Sequence, residues 1–107
     1  MISTHILDTH LGLPAAGVKV SLEKQSGDTW SPVADGITNE DGRIVYDCPN
    51  NEGVYRLSFQ IEDYYEKNQQ EYFFLSVPVV FKITDTKRKY HVPLLLNPYG
   101  YTTYRGS

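Results

Sequence analysis

The 107-residue chain is 40% apolar and 13% aromatic, with 10 basic against 13 acidic side chains and a formal charge of −3. That balance excludes intrinsic disorder, which requires low hydrophobicity and high net charge. It also provides no electrostatic footprint for nucleic acid or an anionic membrane surface. The length suits one domain, residues 1–107, around a single core. No apolar run approaches the roughly 20 residues that cross a bilayer, and "MISTHILDTH" has neither a basic start nor a long apolar run, so no secretory signal is expected. Cys48 is the only cysteine, which rules out an internal disulfide and points to a reducing, cytoplasmic setting.

The dominant period along the chain is two, the mark of strands with one buried face. "STHILDT" supplies a first short strand, and Leu13-Pro14 reads as a turn. In "GVKVSLEK", Val18, Val20 and Leu22 alternate with Lys19, Ser21 and Glu23. Ser26-Gly27-Asp28 then turns the chain into the strand candidate "DTWSPVA". "TNEDGR" turns it again into "RIVYDC", and Pro49-Asn50-Asn51 ends that segment. In "GVYRLSFQIE", Tyr55, Leu57, Phe59 and Ile61 share one face. The polar stretch that follows predicts a short helix over residues 62–70. "SVPVVFKIT" and "YHVPLLL" are further strands, each with an internal proline that predicts an edge or a bulge. Short strands separated by turns, with one helix, predict an all-β fold: an antiparallel β-sandwich of about eight strands.

Few residues offer chemistry. Each of the three histidines, His5, His10 and His91, reads on its own as structural or surface-exposed. Together they would suit an open zinc site, but no ligand spacing or acidic partner supports one. Cys48 in "YDCPN" lacks the context of a nucleophile and fits a small buried hydrophobe. "TNEDGR" lacks the acidic spacing of a calcium loop. Arg43, just after that turn, is either a solvated strand-end side chain or a fork of donors aimed at a carboxylate or urea-like group. The last segment, "YHVPLLLNPYGYTTYRGS", is unusual for a chain end, since ends ordinarily fray. Its three tyrosines, Tyr99, Tyr101 and Tyr104, suggest that it is tied down.

"THILDTHLGLPAAGVKVSLEK", then "TNEDGR", then the closing Tyr104-Arg105-Gly106-Ser107 resemble the enzymatic branch of the transthyretin-like family, the 5-hydroxyisourate hydrolases. The resemblance spans essentially the whole chain, and the terminal tetrapeptide is its most specific element. It implies a transthyretin-like sandwich whose tail forms part of an active site. It implies catalytic roles for His5 in "THILD", Arg43 in "DGR", His91 in "YHVPLLL" and Ser107. His5, Arg43 and Tyr104 would contact substrate, and His10 matches no motif position. The implied reaction is hydrolytic opening of 5-hydroxyisourate in urate breakdown, with no metal or organic cofactor. The implied assembly is a homotetramer, a dimer of dimers with the pockets in the channel between the dimers. A carrier of small aromatic ligands on the same fold is the competing expectation; it would lack the two histidines, the arginine and the tetrapeptide in combination.

Overall fold

A computed structural model describes residues 1–107. The chain runs β1 (Ile2–Asp8), β2 (Leu13–Pro14), β3 (Lys19–Ser26), β4 (Thr29–Ile37), β5 (Arg43–Tyr46), β6 (Gly53–Gln60), α1 (Glu62–Lys67), β7 (Ser76–Ile83), β8 (Tyr90–Asn97) and β9 (Gly100–Thr103). Strands β2-β1-β8-β9 form one sheet, with β5 also paired to β1, and β4-β3-β6-β7 form the other. The two-residue alternation decides which side chains lie between them. Val20, Leu22, Leu57 and Phe59 on one sheet, with Val18 just ahead of β3, meet Ile2, Ile6, Leu94 and Leu96 on the other, all fully buried. The alternating faces predicted for "GVKVSLEK" and "GVYRLSFQIE" are therefore core faces.

The structure departs from expectation in four places. Nine strands form, because Leu13-Pro14 pairs with β1 and the tail pairs with β8. All strand pairs are antiparallel except β1 with β8, which run parallel and bring the two ends of the chain side by side. The helix stops at Lys67 rather than residue 70, and Gln69 adopts φ +54°, a left-handed conformation that follows many helix ends. Its acidic first turn, Glu62 and Asp63, and its basic last turn, Lys67, complement the helix dipole.

The fourth departure is Pro93. Pro78 lies on β7, an edge strand as expected, but Pro93 lies on β8 between β1 and β9. Its missing N–H is tolerated because the ladder to β9 ends at the pair Leu94–Thr103. The same register sets Pro93 opposite Tyr104, and pairing resumes only at His91–Gly106. The Pro93 carbonyl is met instead by the Thr103 hydroxyl at 2.7 Å.

At the far end of β1, buried Asp8 joins the sheet to the helix. Its carboxylate accepts the Tyr64 hydroxyl at 2.7 Å and the backbone N–H groups of His10 and Leu11, each at 3.0 Å. Burial and this carboxylate raise the Tyr64 phenol well above its ordinary value of 10.0. Asp8→Ala would leave three donors without their acceptor. The expected cost is about 2–4 kcal/mol of unfolding free energy, measured by urea denaturation.

Candidate active site

The pattern that buries Ile2, Thr4, Ile6 and Asp8 of β1 turns Ser3 and His5 to the outer face of the five-stranded sheet. Two neighbours present the same parity. On β5, Ile44 and Tyr46 point inward, so Arg43 and Val45 point out. On β8, His91 lies between buried Tyr90 and Val92. Register then brings these residues together: His5 pairs with Arg43 across β1–β5, and Ser3 pairs with His91 across β1–β8.

The turn before Arg43 is built for this placement. The Asn39 side-chain carbonyl accepts the backbone N–H groups of Asp41 and Arg43, at 2.9 and 3.0 Å. Gly42 sits at φ +72° with its carbonyl on the Ile6 N–H. A Cβ there would fall 2.6 Å from the Ile6 carbonyl oxygen, so only glycine lets the turn approach β1 this closely.

His5 Nδ1 and His91 Nε2 are 2.8 Å apart, and the imidazole centroids are 4.9 Å apart with planes tilted by 36°. His91 Nδ1 lies 2.8 Å from the Ser3 hydroxyl. Arg43 is exposed beside this pair, and its guanidinium has no carboxylate partner; the one ion pair in the molecule is Arg56–Glu23 on the other sheet. The cleft over these groups has a volume of about 590 Å³, and Lys89, Pro93, Tyr104 and Ser107 complete its walls.

Both histidines are held below the ordinary imidazole value of 6.5. For His5 the larger cause is burial and the second is the Arg43 charge. For His91 burial again leads, followed by His5 and then Arg43. At neutral pH both rings are therefore neutral and can take a proton. The unfolded chain binds protons at these positions near pH 6.5, whereas the folded chain resists them. Their contribution to stability is thus complete above about pH 6.5 and is lost as the pH falls through and below it. The acid limb of any reaction that needs a neutral imidazole pair should also lie below pH 6.5, as a kcat/KM profile would reveal.

The tail is tied down, but not by burying its tyrosines: Tyr99, Tyr101 and Tyr104 are all exposed. Strand pairing holds it, first through β9 and then through the Gly106 N–H, which donates to the His91 carbonyl at 2.8 Å. Gly106 is buried against the face that carries His91, and a Cβ on it would lie 2.7 Å from His91 Cδ2.

All five residues singled out from the sequence, His5, Arg43, His91, Tyr104 and Ser107, therefore border one cleft. His10 does not join them; it lies beyond the end of β1 in a small recess with Asp8 and Tyr65. No three-histidine metal site is assembled, and no cluster of three or more His, Cys, Asp or Glu side chains is placed to hold a metal ion. Cys48 packs half-buried against the core and does not line the cleft. Ser3 was missed, although its two-residue spacing from His5 already put both on one face. Nothing in the sequence signals Lys89, because its place in the wall depends on the parallel pairing of β1 with β8.

Fold and site together define a β-sandwich with two hydrogen-bonded imidazoles and an unpaired arginine on the outer face of one sheet. Residues 2–106 match the model of the HIUase/Transthyretin family. A 5-hydroxyisourate hydrolase from Salmonella typhimurium is 44% identical, over 100% of this chain and 81% of that protein. A mouse 5-hydroxyisourate hydrolase is 43% identical, over 99% of this chain and 94% of its own length. The structure of a Klebsiella pneumoniae 5-hydroxyisourate hydrolase aligns with a TM-score of 0.88 at 36% identity, covering 99% and 98% of the two chains. Sea bream transthyretin in complex with thyroxine aligns at 0.91 with 30% identity, covering 98% of this chain and 93% of the other. The chain belongs to the HIUase/transthyretin family.

Proposed function

We propose that this protein is a hydrolase that opens 5-hydroxyisourate to 2-oxo-4-hydroxy-4-carboxy-5-ureidoimidazoline. The observation that carries this reading is the convergence of His5, His91 and Arg43 on one face, with the imidazoles 2.8 Å apart. The identity of 42–44% to proteins named for this activity supports it. Fold alone does not discriminate, since transthyretin aligns as closely as the hydrolase. A carrier has no use for a basic imidazole pair, whereas hydrolysis can use one to activate water.

In the proposed reaction the histidine pair takes a proton from water as its oxygen bonds to the ring carbonyl carbon. The carbonyl π electrons move to oxygen, and Arg43 donates hydrogen bonds to the charge that develops there. Such oxyanion donors contribute about 10²–10³-fold in rate. The carbonyl then re-forms, the ring C–N bond breaks, and the proton held by the pair passes to the departing nitrogen. Tyr104 and Ser107 close the cleft at the tail end and hold the purine-derived ring over the imidazoles.

Assembly as a homotetramer belongs to the same reading. Leu11, Leu13, Phe73, Leu75 and Tyr99 are exposed on the single chain, apolar side chains that such an assembly could cover. The test is direct: generate 5-hydroxyisourate in place from urate and urate oxidase, and follow its ultraviolet decay with and without the protein. Catalysed decay is expected. Decay no faster than the spontaneous background overturns the hydrolase reading and leaves the carrier as the reading to pursue.

A further inference from the structure

We propose that Ser3 is a positioning residue that sets the tautomer of His91 and, through it, decides whether His5 Nε2 presents a lone pair or an N–H to the cleft. This rests on the hydrolase reading for its catalytic meaning, but its geometry stands alone. Three groups form one line: Ser3 Oγ to His91 Nδ1 at 2.8 Å, then His91 Nε2 to His5 Nδ1 at 2.8 Å. His5 Nε2 is the one ring nitrogen of the two with no protein partner, and His5 borders the cleft. Two neutral imidazoles at hydrogen-bond distance share a single hydrogen between them, so their tautomers are coupled.

Only two arrangements satisfy the line. If Ser3 accepts from His91 Nδ1–H, then His91 Nε2 must accept from His5 Nδ1–H, and His5 Nε2 presents a lone pair to the cleft. If Ser3 donates instead, every hydrogen is reversed and His5 Nε2 presents N–H, useless as a base. A basic His5 Nε2 requires the arrangement in which the Ser3 hydroxyl accepts from His91 Nδ1–H, and that accepting role is the one assigned to Ser3.

The proton count closes. The resting pair carries two hydrogens, on His5 Nδ1 and His91 Nδ1. A proton from water adds to His5 Nε2, and the charge spreads to His91 when the shared hydrogen crosses to His91 Nε2. Return of that hydrogen and release of the Nε2 proton to the departing nitrogen restores the resting state. Arg43 on β5, Lys89 ahead of β8, Met1 and Ser107 line the cleft beside the pair, and the Met1 amine donates to the Cys48 carbonyl and Asn50 Oδ1. None of them contacts His91 Nδ1, so Ser3 is its sole side-chain partner.

The experiment compares the wild-type protein with Ser3→Ala and Ser3→Thr, using ¹⁵N imidazole shifts at neutral pH and the pH profile of kcat. Wild-type His91 should show hydrogen on Nδ1 only, and Ser3→Ala a mixture of tautomers. Its kcat should fall about 10–100-fold with KM little changed, the range typical of partners that orient a functional histidine. Its acid limb should move to lower pH, because a hydrogen bond to the protonated pair is lost. Ser3→Thr, which keeps the hydroxyl, should restore all three. Unchanged tautomers in Ser3→Ala would overturn the proposal, as would equal impairment of the Thr variant. Because the nitrogen shifts are read without turnover, a wild-type protein inactive on 5-hydroxyisourate would refute the hydrolase reading alone.

Discussion

His5→Asn is expected to lower kcat by about 10²–10⁴-fold, the range of a general acid–base contribution, with the sandwich unchanged. His5 projects from the outer face of β1, while the inward residues that hold the strand, Ile2, Thr4 and Ile6, are untouched. The asparagine amide can still occupy the hydrogen-bond position of Nδ1 towards His91. It has no basic nitrogen to replace Nε2, so the water is left without a base. His91→Asn should be comparably severe by another route, because it removes the bonds to both Ser3 and His5. Groups that act as one unit are strongly non-additive. The double variant should therefore fall little below the worse single one. Steady-state kinetics in the coupled assay, with circular dichroism to verify the fold, decide this; near-additive losses would mean that the imidazoles act separately.

Removing Tyr104–Ser107 is expected to cost at least about 10²-fold in kcat/KM, on the scale of a 1 Å misplacement of a reacting group. The truncation takes away two walls of the cleft and the Gly106 N–H that holds the His91 carbonyl. It removes no part of the core, since the buried residues of β8 and β1 remain paired. The loss of stability should therefore be small, about 1 kcal/mol for one backbone hydrogen bond. Gly106→Ala reaches the same result without shortening the chain, because its Cβ would displace either the tail or the His91 ring, 2.7 Å away. Full activity in both variants would show that the tail takes no part in the site.

The legible parts of this molecule were those governed by local pattern. Alternation placed Val18, Val20, Leu22, Leu57 and Phe59 in the core, and the composition of "TNEDGR" marked the turn ahead of Arg43. Resemblance, rather than pattern, singled out His5, Arg43, His91, Tyr104 and Ser107. Taken alone, His5, His91 and Arg43 fitted a structural or solvated role better. The illegible parts depended on partners distant in sequence. Pro93 looked like an edge residue because no local signal shows that β9 stops pairing one residue short of it. Ser3 went unnoticed because its partner is 88 residues away. The tail tyrosines suggested a tied-down end, which it is, but no local signal showed that β9 and a backbone bridge from Gly106 do the holding.

By itself, then, the sequence determined which side of each strand is wet and which is dry, because that follows from the two-residue pleat and the identity of each side chain. It thereby put Ser3 with His5, Arg43 with Val45, and His91 opposite its buried neighbours, one strand at a time. The tertiary structure alone decided that these three wet faces lie side by side. That depends on the parallel register of β1 with β8, which joins chain ends more than 80 residues apart, and on the close approach of Gly42 to Ile6. Pairing of distant strands is set by how the whole core closes, and no short stretch of the chain encodes it.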